Sequence, residues 1–249
     1  MSKVIERVDS FFSKHSSERM VFSETIKCLK ESGHEKLVPD WVDFCSELFA
    51  KEERCLTNFT AFWFKFPVLI KDFEMFKGKE VVDVGGMCGL SAFLAYHVGK
   101  AESVNVVEYN KDYCDPCINL LKNSSKGNIT VHQKTFLEFF KKYSTNDKSI
   151  IYLSDILYQF RQPDIDALSE VIKTAPLVLA HSRENRPVRN KNKYRFSRHQ
   201  NIASYLSVLG KKVSYPNNEN LDYICTEEPT HQNPASVDPW KTWITVVGE

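Results

Sequence analysis

The sequence has little surplus of any kind. Its 33 basic and 32 acidic side chains nearly cancel to a formal charge of +1, so no global field announces a nucleic-acid or membrane partner. Long hydrophobic runs are missing. The most apolar window, "FTAFWFKFPVLI", is interrupted by Lys65 and Pro67 and falls short of the roughly 20 residues a membrane-spanning helix needs. The N-terminal "MSKVIERVDSFFSKHSSERM" mixes both charges without an apolar centre, so no secretory signal is expected. The seven cysteines are an odd and scattered set, read as reduced thiols of a cytosolic or nuclear protein. Cys114 and Cys117 have C-x-x-C spacing, but no second pair or spaced histidines join them, so no metal is expected. Glycine is scarce, at nine in 249 residues, yet four fall in the single stretch "KEVVDVGGMCGLSAFLAYHVG" from Lys79.

What is present is enough for one α/β domain with an appendage: 249 residues, 42% of them apolar, can bury a substantial core. Residues 1–55 read as an N-terminal helical extension. "SETIKCLKESG" opens on a serine cap and closes on glycine, and "PDWVDFCSELFAKEER" has Pro39 and acids early and Arg54 late. Trp41, Phe44, Cys45, Leu48 and Phe49 recur at helical spacing, so this segment is expected to pack on something. From Lys79 the rhythm changes. The runs "EVVDV", "SVNVVE", "NITVHQ", "SIIYLS" and "PLVLAH" alternate with "LSAFLAYHV", "DYCDPCINLLK", "FLEFFKKY" and "DIDALSEVIK". Strands spaced by helices in this way mean βαβ units and a parallel sheet. After a further helix, "FSRHQNIASYLSVLG", the runs "KKVSYP" and "WITVVGE" have no helix between them and suit a hairpin. The expected architecture over residues 56–249 is a Rossmann-like, doubly wound, mostly parallel seven-stranded sheet with its last strand antiparallel. Ligand-binding loops belong at the carboxyl ends of the strands.

The glycine spacing bears on the ligand. A dinucleotide sets its pyrophosphate on a helix N-terminus and asks for G-x-G-x-x-G. Counted from Gly85, that pattern needs glycine where Met87 and Leu90 stand. S-adenosylmethionine carries no phosphate, so it needs less anion cradle and more room for its methionyl end. Its usual loop is an acid, one residue, then glycines, here Asp83, Gly85, Gly86 and Gly89. Glu108 ends the next strand, 25 positions after Asp83, where a carboxylate can accept hydrogen bonds from both ribose hydroxyls. A glycine-rich turn beside a surface glutamate is the bland alternative.

With these residues the chain resembles the class I, seven-strand S-adenosylmethionine-dependent methyltransferases over about residues 56–249, with the motifs in 79–181. It departs from their commonest loop at Met87, where glycine is usual. In "IIYLSDILYQF", at the end of the fourth strand, Asp155 and Tyr158 look like the D-x-x-Y motif of the protein-lysine methyltransferases of methyltransferase family 16. "FTAFWFKFPVLIKDF" resembles that family's pre-motif, "GLSAFLA" its post-loop segment, and "APLVLAHSREN" its fifth strand with a trailing arginine. The resemblance implies S-adenosyl-L-methionine as cofactor, with Trp63 against it. It also implies Asp155 and Tyr158 as catalytic residues lining an amine channel, Asp155 touching the cofactor as well. Tyr109, Thr135 and Phe136 are candidates to flank adenine, and His181 and Arg183 to meet substrate. Read without the resemblance, Asp155 is a helix cap and Tyr158 a core residue.

Methyl transfer is an in-line displacement at a sulfonium carbon. The protein therefore mainly aligns the nucleophile and removes water, and orients a neutral amine. "SDILY" lacks the prolines of adenine-specific nucleic-acid methyltransferases. The fifth strand ends in His181, not the lysine of ribose 2′-O-methyltransferases. Residues 183–200, "RENRPVRNKNKYRFSRHQ", set seven basic side chains and two aromatics against one acid, which suits phosphates and bases, an acidic protein surface, or plain solvent. His97 and His132 read as structural histidines. The function expected is methylation of a protein side-chain nitrogen. The alternatives are an RNA or small-molecule methyltransferase using the basic segment, and a catalytically silent binding module. The partner in the first two is a methyl acceptor, protein or RNA, with no membrane and no metal.

Overall fold

In the computed structural model of the chain, the described residues are 12, 16–56, 73–154, 156, 160, 162–174, 177–183, 212–214 and 242–248. Two helices come first, α1 (Ser16–Glu31) and α2 (Val38–Lys51). Strands and helices then alternate: β1 (Glu80–Val84), α3 (Leu90–His97), β2 (Ser103–Glu108), α4 (Lys111–Ser124), β3 (Ile129–Gln133), α5 (Phe136–Phe140), β4 (Ser149–Ser154) and α6 (Gln162–Thr174). Three further strands follow, β5 (Leu177–Arg183), β6 (Lys212–Ser214) and β7 (Thr242–Gly248).

The centre is a parallel sheet in the order β3-β2-β1-β4, with Asp83 level with Val106, Val84 with both Val107 and Leu153, and Glu108 with Gln133. Beyond β4 the backbone of β5 pairs parallel to it, and β7 pairs antiparallel to β5 and β6. The chain leaves β1 toward β2 and β3 on one side, then returns to lay β4 on the other. That reversal, at the carboxyl ends of β1 and β4, is the switch point above which open α/β sheets take their ligands.

Because successive side chains in a strand point to opposite faces, the sheet has two cores. Val81, Val104, Val106, Ile150 and Tyr152 face one that also takes in Trp41, Phe44 and Leu48 of α2, Phe93 of α3 and Leu121 of α4. Val82, Val84, Val107, Ile151 and Leu153 face the other, with Phe136 and Phe139 of α5 and Leu168 of α6. Helices on both faces explain why the strands read as continuous apolar runs rather than alternating ones.

The helix boundaries show local signals and packing in competition. α1 ends as "ESG" suggests. Gly33 takes φ +80, its N–H donates to the Lys30 carbonyl at 3.1 Å, and the His34 N–H donates to the Leu29 carbonyl at 2.7 Å, which closes the helix in a Schellman motif. Its start is earlier than the serine cap at Ser23 predicts. Phe22, 5% exposed, packs on Phe12 at 5.4 Å, and Phe12 in turn meets Phe49 at 6.2 Å, so tertiary burial carries the helix through Ser23. "FLEFFKKY" gives a shorter helix than its periodicity predicts. α5 stops at Phe140, and the Lys142 and Tyr143 N–H groups both turn back onto the Phe139 carbonyl. The predicted helix "FSRHQNIASYLSVLG" lies outside the described residues, as does His199. No helix among the described residues is long and apolar enough to cross a membrane.

The N-terminal helices are joined to the sheet layer through aromatics. Phe93, fully buried, stacks on Phe44 at 4.6 Å and lies 5.5 Å from Trp41. Phe93→Ala is therefore expected to lower unfolding free energy by about 3–5 kcal/mol. Tyr109→Ala, at a ring 65% exposed, should stay within about 0.5 kcal/mol of the parent. Urea titrations of both variants check the contrast.

Candidate functional site

β1 delivers a buried acid and a glycine loop to the switch point. Asp83 is 1% exposed, and its Oδ2 accepts the Ser91 hydroxyl at 2.7 Å from the first turn of α3. The loop then folds over that carboxylate. A Cβ on Gly86 would lie 2.7 Å from Asp83 Oδ2 and 2.8 Å from Val106 Cγ1, so only a hydrogen fits. Gly85, at φ +68, leaves the strand with its N–H donating to the Val107 carbonyl at 2.8 Å. A Cβ there would come 2.6 Å from Ile156 Cδ1, on the chain leaving β4. Gly89, at φ +76, caps α3, and its N–H donates to the Gly86 carbonyl at 2.9 Å. Asp83 is thus a brace beneath the loop, acting through Ser91 and Gly86.

β2 delivers the second acid. Glu108 is 6% exposed, with Oε2 accepting the Met87 N–H at 3.3 Å and Oε1 accepting the Asn110 N–H at 2.8 Å. The first bond spans 21 residues and ties the carboxylate to the glycine loop. The second is local, because Asn110 caps α4, its side chain accepting the Asp112 N–H at 3.0 Å. Burial pushes the Glu108 carboxyl above its ordinary 4.5, and the backbone hydrogen bonds from Asn110 and Met87 pull the other way. Each carboxylate oxygen has two lone pairs, so the hydrogen bonds already made leave acceptor capacity on both. Met87 takes φ +51, a left-handed conformation in which glycine is strain-free.

Tyr109 follows Glu108 on the open side, 65% exposed. Thr135, at the end of the neighbouring strand, is committed to a capping box. It accepts the Glu138 N–H at 3.3 Å, and the Glu138 carboxylate accepts the Thr135 N–H at 2.9 Å. Phe136 is 6% exposed, with its ring 4.6 Å from Phe140 and 4.9 Å from Phe160, so its packing is within the second core. The backbone of His181 is level with Ser154, and that of Arg183 with Thr242. Trp63, Asp155 and Tyr158 lie outside the described residues.

The structure therefore brings Asp83, Gly85, Gly86, Gly89 and Glu108 into one constellation. Sequence reasoning missed Ser91, Ile156 and the Met87 N–H. Ser91, eight positions after Asp83 at the start of a helix, left a signal that could have been used; the other two are long-range contacts without one. His132 is a structural histidine, its Nε2 2.8 Å from Asn105 Oδ1. Burial depresses its pKa. The Cys114 thiol donates to the Glu108 carbonyl at 3.3 Å, and burial raises it to about 11. The Cys117 thiol donates back to the Tyr113 and Cys114 carbonyls. Cys114 thus supports the backbone at the acid, and Cys117 the first turn of α4. Among the described residues no group of His, Cys, Asp or Glu is arranged to hold a metal.

No protein-family model matches the sequence, and no curated protein matches it. Solved structures do match the fold. An O-methyltransferase family protein from Burkholderia thailandensis is similar with a TM-score of 0.53 at 11% identity, over 88% of this chain and 61% of that one. The methyltransferase domain of bacterial CtHen1-C is similar with a TM-score of 0.51 at 11% identity, over 73% and 95%. A SAM-dependent methyltransferase from Archaeoglobus fulgidus gives 0.48 at 13%, over 74% and 92%. On the likeness to the first two, the chain has the α/β fold of methyltransferases.

Two glycine substitutions separate loop strain from loop packing. Gly78 and Gly89 both have positive φ, but a Cβ on Gly78 meets nothing within 4 Å, whereas one on Gly89 would lie 2.3 Å from Leu121 Cδ1. Gly78→Ala should cost about 1–2 kcal/mol from backbone strain alone. Gly89→Ala should cost about 1–3 kcal/mol more from overpacking. Thermal denaturation of the pair reads the difference.

Proposed function

We propose that the chain is an S-adenosylmethionine-dependent methyltransferase acting on a side-chain nitrogen of a protein. The observation that carries the cofactor part is the Glu108 carboxylate, buried at the end of β2 and tied to the glycine loop through the Met87 N–H. In this reading its free lone pairs accept the ribose hydroxyls. Tyr109 offers an exposed ring to adenine, and the loop glycines keep side chains out of the methionyl end. Asp83 holds the loop in shape from below. The bound cofactor supplies an activated methyl on a sulfonium, and the chain's own task is to place a neutral amine in line with it and exclude water. Asp155 and Tyr158, at the exit of β4, are assigned to that amine, with Trp63 on the cofactor and His181 and Arg183 on the substrate side. The D-x-x-Y spacing and the exit of β4 at the switch point support the assignment.

The finer architecture is part of the same proposal: a seven-stranded class I sheet with its last strand antiparallel, supported by the β5–β7 register. Residues 1–55 are proposed as an extension that completes the core of the domain at 56–249, supported by the Trp41–Phe44–Phe93 contacts. A cytosolic or nuclear location is supported by six described cysteines being free thiols.

Glu108→Ala is expected to abolish S-adenosylmethionine binding in calorimetry. Affinity unchanged by the substitution would remove the cofactor site. Asp155→Ala should lower turnover while leaving cofactor affinity nearly intact, and a wild-type rate would exclude Asp155 from the mechanism. Labelled cofactor incubated with a lysate should yield product destroyed by protease. Destruction by ribonuclease alone would point to RNA, and no label despite cofactor binding to a silent module.

The pH dependence has a definite sign. Glu108 must be anionic to accept two hydroxyls, and its folded pKa lies above the ordinary 4.5, so cofactor affinity should fall as pH falls through that raised value. The stability of the unliganded protein moves the opposite way. The contribution of a carboxyl with a raised folded pKa is fully present below its unfolded value and is lost as pH rises through the folded one. Calorimetric affinity and urea midpoints measured against pH in parallel test both signs.

A further inference from the structure

The chain leaving β4 is seated on the glycine loop by a side chain. The three heavy atoms nearest the place of a Gly85 Cβ all belong to Ile156: Cδ1 at 2.6 Å, Cγ1 at 2.8 Å and Cβ at 3.4 Å. Gly86 and Gly89 are met instead by β1, β2 and α4, through Asp83, Val106 and Leu121. Gly85 is a firm support, because it directly follows β1 and its N–H donates to the Val107 carbonyl at 2.8 Å. Ile156 also packs on the second core, the one containing Val84, Val107 and Leu168. The β1–β4 ladder ends with Val84 level with Leu153, and β4 itself ends at Ser154. Past that end, Ile156 ties the departing chain to the loop. Its side chain is branched at Cβ and stiff about χ1, so a contact running from Cβ to Cδ1 constrains the backbone that carries it.

We infer that Ile156 is a positioning residue, whose side chain seated on Gly85 sets the separation between the glycine loop and the segment that opens with Asp155. What that separation does rests on the proposed methyltransferase function. In that reading the loop side holds the methyl donor, and Asp155, adjoining Ile156 in the chain, orients the amine. The packing of Ile156 on the loop does not depend on it. In-line displacement is sensitive to such spacing, a misplacement of about 1 Å costing on the order of 100-fold in rate. The missing Cβ of Gly85 is then a condition of the contact, in addition to the φ of +68 that the turn requires.

The test is a double-mutant cycle. Gly85→Ala in the parent carries both backbone strain and a collision with Ile156, whereas in an Ile156→Ala background only the strain remains. The drop in urea midpoint caused by Gly85→Ala should therefore shrink to about half in that background. In a Leu168→Ala background, with a cavity elsewhere in the same core, the drop should be unchanged. With labelled S-adenosylmethionine and a cell lysate, Ile156→Ala should lower the maximal rate of label transfer about 10- to 100-fold. Its calorimetric S-adenosylmethionine affinity should stay within about threefold of the parent. Ile156→Val, which keeps the branched Cβ, should restore most of the rate, and Leu168→Ala should leave it near the parent's. Should Ile156→Ala not fold, the cycle runs with Ile156→Val, which removes the closest atom, Cδ1, and should relieve part of the Gly85→Ala cost. An equal Gly85→Ala cost in both backgrounds, a parental transfer rate in Ile156→Ala, or a rate loss matched by Leu168→Ala overturns the inference. If the parent transfers label and the cycle shows no coupling, only the inference fails. If the coupling appears and the parent binds no S-adenosylmethionine, the positioning of the β4 exit stands and the methyltransferase reading fails.

Discussion

Glu108 is a carboxylate buried at the end of a central strand, and the rest of the site follows from accommodating it. An ionised group removed from water is costly unless hydrogen bonds replace hydration. Two backbone N–H groups do so here, from Met87 and Asn110. The Met87 donor is available only because the loop after β1 crosses to β2 with a non-glycine residue at φ +51 and glycines on both sides of it. The Asn110 donor is available because a helix cap turns the chain immediately after the acid. Burial still leaves the carboxyl pKa raised. A ligand that brings further hydroxyl donors would complete what the two N–H groups begin.

The same region shows why the glycines are not interchangeable with alanine. Gly86 lies against the Asp83 carboxylate and Val106, Gly85 against Ile156, and Gly89 against Leu121. Each contact comes from a different element: β1 and β2, the exit of β4, and α4. The loop is packed on all of these sides, so its conformation is an outcome of the whole sheet layer. The N-terminal helices belong to that layer through Trp41, Phe44 and the buried thiols.

Much of the fold was legible in the sequence because parallel strands between helices leave plain apolar runs. "EVVDV", "SVNVVE" and "SIIYLS" coincide with β1, β2 and β4. The burial of Trp41, Phe44, Cys45, Leu48 and Phe49 followed from helical spacing. Boundaries were less legible: Ser23 offered a cap that Phe22 packing overrode, and the apolar pattern of "FLEFFKKY" outran its helix. In the site, the acids and glycines could be named from spacing, but their division of labour could not. Asp83 and Glu108 look alike as strand-end carboxylates. One is sealed under Gly86 as a brace, and the other is held at the loop by donors from two segments.

The sequence by itself determined the alternation of strands and helices, the acid-and-glycine loop and the second acid, since these depend on local periodicity and on residues that permit positive φ. Only the tertiary structure decided that Glu108 meets Met87 across 21 residues, that Ile156 closes over Gly85, and that Leu121 abuts Gly89. Those contacts arise from strand order and helix docking. Neither is encoded in the spacing of any single segment, because it is the reversal at β1 that brings the pieces together.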